Sequence, residues 1–282
     1  MSRSKSSRPP RNSAERKGRK TPQENRGAGN PSKKSSGGDI WFYGDHAVFA
    51  CLANEKRRLK RLLMTKAKFT ELDDETKGMI EERLAPEIVS REAIDALVGE
   101  QAVHQGVALL PSPLPEMAIE DLPGADDPAP LVVALLDQVT DPHNVGAILR
   151  SAAAFGVAGL IMPDRHSPQA TGVLAKSASG ALETVPLIRV SNLSRALDQL
   201  AEKGFWRIGL DGYADQDLET IAKGQRKVAL VLGSEGKGLR ALTAQKCDFL
   251  ARLPISGQIE SLNVSNAAAI AFYEISRQLK SL

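Results

Sequence analysis

From residue 131 onwards the apolar positions change period repeatedly along the chain. Six apolar residues run unbroken over 131–136, the pattern of a strand buried on both faces. Helical spacing follows over 144–155, then a short strand over 160–162, a helix over 174–181 and a strand over 185–190. Residues 193–203 predict an amphipathic helix ended by Gly204. Further strands are predicted at 206–210, 228–232 and 249–253, a short helix at 239–246 and a final helix at 264–279. Such βα alternation predicts an α/β fold with a mostly parallel sheet covered on both sides.

The pattern before residue 131 is different. A helix over 45–54 has Val48, Phe49 and Leu52 on its inward side. A strand over 59–64 is interrupted by Lys60 and Arg61, helices follow over 75–84 and 91–98, and a strand over 106–110. These elements predict a small separate α/β module. Residues 113–130 are rich in Pro, Asp and Gly, including Pro113, Pro115, Pro123, Pro128 and Pro130, and read as a linker. Residues 1–38 contain no Leu, Ile, Val, Phe, Tyr or Trp and have too little apolar surface to offset ordering entropy, so they are expected to be disordered. The expected layout is a tail at 1–38, a module at 39–112, a linker at 113–130 and a larger domain at 131–282.

Charge sharpens this division. Residues 1–38 hold 11 Lys/Arg and 2 Asp/Glu, a net +9, against −6 for the rest of the 282-residue chain. A mildly acidic body thus carries a strongly basic tail, a handle for a polyanion such as RNA. No stretch approaches the roughly 20 apolar residues that span a bilayer, and the start lacks the apolar core of a secretory signal, so no membrane partner and a cytoplasmic location are expected. Cys51 and Cys247 lie far apart, as do His46, His104, His143 and His166, and no metal-ligand spacing links them.

Ligands of open α/β sheets bind beyond the carboxyl ends of strands, which directs attention to three loops. The first, 137–150, carries Asn144 at a helix start and Arg150 less than two turns later; alone, Arg150 reads equally as a surface ion-pair partner. In the second, 232–238, Gly233, Gly236 and Gly238 surround Glu235. It is neither a dinucleotide fingerprint nor a phosphate-binding P-loop, and by itself it is only a glycine-rich turn. The third, 253–265, leads through Ser261 and Asn263 into the last helix, where either residue could simply cap it.

Together the loops say more than any one of them. Asn144, Gly146 and Arg150 are followed by Gly233 to Gly236, by Pro254 to Gly257, and by Ser261 to Ser265. In that order they resemble the SpoU/TrmH branch of the SPOUT methyltransferases, over 131–282 and including Ala178 to Ala181 and Val185 to Ile188. Tyr43, Gly44, Ala47, Val48, Leu52 and Asn54 are similar to that family's amino-terminal substrate-binding module, which is itself like a ribosomal RNA-binding protein fold.

The resemblance implies a SPOUT domain with a parallel sheet and a deep trefoil knot, S-adenosylmethionine as cofactor, and RNA as substrate. It also implies a homodimer with the last helix at its interface. The small and branched Ala267, Ala268, Ile270, Ala271 and Ile275 suit that role or an intrachain core. On the family pattern Gly233, Leu253 and Leu262 hold the cofactor. Arg150 activates the ribose 2′-hydroxyl, with Asn144, Glu235, Ser261 and Asn263 completing the site. The two-domain layout is that of members acting on a guanosine ribose of large-subunit (23S) rRNA.

A guanidinium is not normally a base. Either Arg150 loses its proton in a special site, with an RNA phosphate as acceptor, or it stays charged and stabilises the developing alkoxide. A bidentate pair with Glu235 would favour the second account. Two rivals remain. A tRNA ribose methyltransferase shares the motifs but not the amino-terminal module. A non-catalytic RNA-binding or ribosome-assembly protein would have no need of Asn144, Arg150, Glu235 and Asn263.

Overall fold

A computed structural model of the chain describes residues 40–165, 168, 171–257 and 259–280. The basic tail of 1–38 and His166 lie outside the described residues. The amino-terminal lobe runs β1 (Phe42–Tyr43), α1 (Asp45–Ala53), β2 (Leu59–Thr65), α2 (Lys66–Glu71), α3 (Asp74–Arg83), β3 (Glu87–Val89), α4 (Arg91–Val98) and β4 (Val107–Pro111). Its sheet has the order β1-β4-β2-β3, with β4 antiparallel to both neighbours and β2 parallel to β3. Alternate residues of the central strands serve two cores, one of them continuous with the main core of the second lobe, as the two-residue period of a strand requires. Leu62, Met64, Val107 and Leu109 meet Val48, Leu52 and Ile80 on one side; Leu63 and Ala108 meet Tyr43 and Ile94 on the other. Two of the elements that hydrophobic spacing did not predict bury little: α2 has no buried residue, and β3 is three residues long with two exposed.

The second lobe runs β5 (Leu131–Leu136), α5 (Pro142–Phe155), β6 (Leu160–Pro163), α6 (Gly172–Ala178), β7 (Leu187–Val190), α7 (Leu193–Glu202), β8 (Trp206–Leu210), α8 (Leu218–Ala222), β9 (Lys227–Leu232), α9 (Ala241–Gln245), β10 (Phe249–Ala251) and α10 (Val264–Leu279). All neighbouring strands are parallel, in the order β10-β8-β9-β5-β6-β7. The central strand β5, and β9 after Lys227, are apolar throughout because each face meets a helix layer. Val132, Ala134, Val228 and Leu230 pack with Ile148 and Leu149 of α5 and Phe272 and Ile275 of α10. Val133, Leu135, Ala229 and Val231 pack with Leu193, Leu197 and Leu200 of α7. The helix expected over 174–181 stops at Ala178, where Ser179 turns left-handed (φ 48°), and a 3-10 turn (Ala181–Glu183) follows. No helix among the described residues is long and apolar enough to cross a membrane.

Besides an apolar core that runs unbroken from one lobe into the other and a bond from Lys176 Nζ to the Val103 carbonyl, two features join the lobes. The first is Glu183, whose carboxylate is buried against the amino-terminal lobe. It pairs with Arg57 at 3.0 Å and accepts from Asn54 Nδ2 at 2.7 Å and Cys51 Sγ at 3.0 Å. The side chains of Arg57 and Glu183 are 5% and 4% exposed. The second is the stretch expected to be a linker. It holds a 3-10 turn (Ile119–Asp121) whose Ile119 and the following Leu122 are buried in the α7-side core. Lys203 donates to the carbonyls of Glu120 and Leu122, and Gln199 to the Glu120 carboxylate. Much of this connector is therefore built into the second lobe.

Candidate active site

From β5 the sheet grows in one direction to β6 and β7, while β9, β8 and β10 lie on its other side. The reversal leaves a crevice at the carboxyl ends of β5 and β9, the general position of a ligand site in such sheets. The loops after β5, β8, β9 and β10 all emerge at this end.

Asn144 was expected at the start of a helix. The cap itself is Asp141, which accepts from the His143 N–H at 3.0 Å, with Pro142 in the first turn. Asn144 therefore keeps its side chain for other contacts. Gly146 lets α5 approach α6 closely, since a Cβ there would lie 2.4 Å from the Ser177 Cβ. Asn144 Nδ2 donates to Glu235 Oε1 at 3.0 Å. Asn263 Nδ2 donates to the same oxygen at 2.5 Å and to Asn144 Oδ1 at 3.1 Å. The Val264 N–H reaches Glu235 Oε1 at 3.4 Å. Asn263 also caps α10, its Oδ1 accepting from the Ser265 N–H at 2.9 Å. The capping and site readings of Asn263 are therefore both true, one for each end of the amide.

A cavity of about 370 Å³ opens beside this cluster. Gly233, Glu235, Leu253, Ser261 and Leu262 line it, together with Leu232 and the loop to Leu239. Glycine at 233 is required by the loop itself. A Cβ at Gly233 would sit 2.2 Å from the Gly238 carbonyl carbon, so the glycine lets the loop close on itself. Ser234 and Gly238 then exchange backbone hydrogen bonds of 3.1 and 2.9 Å. Apolar leucines, close backbone and three carboxylates (Asp211, Glu235 and Glu260) suit a ligand with a flat apolar part and a positive centre, as S-adenosylmethionine has. Among the described residues no group of three or more His, Cys, Asp or Glu could hold a metal ion.

Arg150 departs from expectation. It is exposed on α5, does not line the cavity, and its side chain has no hydrogen bond or ion pair among the described residues. Within one chain Glu235 does not orient it: Glu235 Oε1 accepts from Asn144, Asn263 and the Val264 N–H, and neither oxygen bonds to Arg150. The expected Arg150–Glu235 fork is replaced by an amide–carboxylate cluster.

Two residues lie beyond the sequence reading: Tyr213, which lines the cavity, and Asp137, which does not line it but holds its loop. Tyr213 is 84% exposed in the loop after β8, and its hydroxyl donates to Glu260 Oε1 at 3.1 Å. That bond to the carboxylate holds the phenol above its ordinary pKa. Asp137, at the end of β5, is fully buried and accepts from Arg240. A charged residue directly after a buried apolar run was the available signal for Asp137; nothing in the local pattern marks Tyr213.

The SpoU rRNA Methylase family profile matches residues 131–273, and the profile described as RNA 2'-O ribose methyltransferase substrate binding matches 41–117. The chain is 40% identical over 247 residues to the 23S rRNA (guanosine-2'-O-)-methyltransferase RlmB of Pseudomonas aeruginosa, covering 84% of this chain and 95% of that one. Identity to the protein of the same name in Pseudomonas putida is 38% over 242 residues, covering 84% and 96%. Among solved structures, the SpoU methyltransferase AviRb of Streptomyces viridochromogenes in complex with AdoMet aligns with a TM-score of 0.72 at 23% identity, over 90% of this chain and 96% of that one. An AdoMet-bound rRNA methyltransferase of Sinorhizobium meliloti aligns with a TM-score of 0.69 at 23% identity, over 85% and 87%. At such identities the structures establish a shared fold, and the sequence matches establish kinship. The chain belongs to the SpoU rRNA methylase family.

Proposed function

We propose that this protein is an enzyme that transfers a methyl group from S-adenosylmethionine to the ribose 2′-hydroxyl of a guanosine in 23S rRNA. The observation that carries the reading is the Asn144–Glu235–Asn263 cluster at the edge of the cavity. The relatives at 38–40% identity over 84% of the chain bear the corresponding name. They also favour rRNA over tRNA and catalysis over mere binding.

When bound, S-adenosylmethionine supplies a methyl group made electrophilic by its sulfonium. The remaining work belongs to the chain: aligning the ribose oxygen and easing the loss of its proton. Gly233, Leu253 and Leu262 are assigned to the cofactor wall and Ser261 to its polar edge. Three donors to Oε1 fix the Glu235 carboxylate in one orientation. Its Oε2, without a protein donor among the described residues, is left to accept from the ribose hydroxyl. Arg150 stays charged and stabilises the developing alkoxide. It lies outside the cavity of its own chain, so a second copy completes the site. Ile270 and Tyr273 on α10 are 47% and 54% exposed, Tyr273 packs edge-on against Phe155 of α5, and this apolar face suits a homodimer contact. A trefoil knot through the loops after β9 and β10 belongs to the same reading, as does a cytoplasmic location. So does a division of labour in which 39–112 binds RNA, 113–130 connects, and 131–282 catalyses, with the 1–38 tail adding charge.

The test is to incubate purified protein with S-adenosylmethionine and unmodified 23S rRNA and map 2′-O-methylation. One modified guanosine, absent with Glu235→Ala, is the expected result. Modification of tRNA alone, or none, overturns the assignment.

A further inference from the structure

The Asp137 side chain is 0% exposed, and a buried carboxylate is costly unless its oxygens are satisfied. One residue satisfies both oxygens. Arg240 Nε donates to Oδ1 at 2.6 Å and the Arg240 backbone N–H to Oδ2 at 3.0 Å. Arg240 is the residue at which the loop after β9 ends and α9 begins. The other end of that loop leaves β9 at Leu232, whose carbonyl accepts from the Asp137 N–H at 2.8 Å. Asp137 therefore holds both ends of the 233–239 loop, its main chain taking one and its side chain the other.

Every residue of this loop lines the cavity, and its Glu235 carries the amide cluster. Seven residues after Asp137, Asn144 grips Glu235. The loops after β5 and β9 are thus tied twice, once at the base and once at the tip. The tip bond joins exposed side chains and is easily lost to water; the base bond is shielded and charge-assisted.

We propose that Asp137 and Arg240 are a positioning pair for the methyl transfer, fixing the 233–239 loop so that the cavity wall and Glu235 are set before substrates arrive. This rests on the methyltransferase reading above. Neither residue touches the substrate; both act through the loop.

The test uses the full chain with Arg240→Ala, Arg240→Lys and, as a second route, Asp137→Asn. The Arg240 side chain is 48% exposed, so its truncation leaves the core filled. Losing a hydrogen bond to a buried charge predicts about a tenfold weaker S-adenosylmethionine affinity by calorimetry and about a tenfold lower kcat in Arg240→Ala. KM for RNA should stay within about twofold, and Arg240→Lys, which keeps a cation, should recover most of the loss. Hydrogen exchange reads the loop without any cofactor: 233–239 should exchange faster in Arg240→Ala while 264–279 is unchanged. Wild-type affinity and kcat in Arg240→Ala, with only a lowered melting temperature, would make the pair merely structural and overturn the proposal. Unchanged exchange over 233–239 overturns it too. If the wild type binds no S-adenosylmethionine, the methyltransferase reading fails, and the catalytic role of the pair fails with it.

Discussion

The Asn263 amide donates to Asn144 Oδ1 at 3.1 Å while its carbonyl oxygen caps the helix that begins at Val264. One side chain thus serves stability at one end and the site at the other. Asn263→Asp separates the two. The cap survives, but a donor facing Glu235 Oε1 at 2.5 Å becomes an acceptor. Activity should fall by about 100-fold, the usual cost of one active-site hydrogen-bond donor, with little change in melting temperature. Retention of most activity in steady-state assays would remove the cluster from the mechanism.

Arg150 and Glu235 are predicted to work in different copies of the chain. Arg150→Ala and Glu235→Ala should each be inactive alone. Mixed and allowed to exchange subunits, they should recover up to about a quarter of wild-type activity, since half the dimers are mixed and each has one intact site. A mixture as inactive as its components would mean that each site is built from one chain.

Gly233→Ala should weaken cofactor binding because the loop cannot close. Its Cβ would meet main-chain atoms of Gly238 at 2.2 to 2.4 Å, and main chain has no rotamer by which to move aside. Overpacking of this kind costs about 1–3 kcal/mol. Calorimetry with S-adenosylmethionine checks it, and unchanged affinity would show that the loop tolerates opening.

The Glu183 interlobe pair predicts a stability effect and a pH effect. Removing one partner of a buried pair costs about 3–5 kcal/mol, so Glu183→Ala should lower the denaturant midpoint substantially. Burial, then the Glu183 carboxylate, push the Cys51 thiol up, and burial pushes Cys247 to about 12. Both thiols stay protonated in the native protein where unfolded thiols ionise. Their contribution to stability is therefore whole below the unfolded pKa of about 8.5 and is lost as pH rises above it. Thiolate-directed reagents at about pH 8 should label the native chain slowly and the unfolded chain fast.

Deleting residues 1–38, with net charge +9, should reduce long-range attraction to RNA. If four to six basic residues engage a single strand, the slope of log affinity against log salt should flatten by roughly 3 to 4 units. Base choice should not change. Titrations at several salt concentrations decide it; equal slopes would move the RNA-binding charge to the folded body.

How far these features are legible in the sequence depends on how much each buries. The run 131–136 and the helix 264–279 have the same ends in the sequence reading and in the structure, because one is apolar on both faces and the other keeps one steady apolar face. Five-residue helices are too short to establish a period: α8, Leu218–Ala222, is not legible, and α9, Ala241–Gln245, is legible only as a wider stretch at 239–246. In the site, Asn144, Glu235 and Asn263 were named, but not their bonds, which join residues 28 to 119 positions apart. Arg150 is legible as a candidate, but within one chain it makes no contact with Glu235, whose Oε1 is held by the amides of Asn144 and Asn263.

The buried Ile119 and Leu122 also set a tether length. With that turn fastened to α7, only residues 112–118 remain between the last strand of the amino-terminal lobe and the anchor. Seven residues span at most about 25 Å when fully extended. Were the lobes to part around an RNA, opening the core they share as well as the Glu183 pair, this tether would let them do so by about the width of one duplex and no further. A recognition element and its target ribose would then have to lie close together in the folded rRNA, however far apart they are in its sequence.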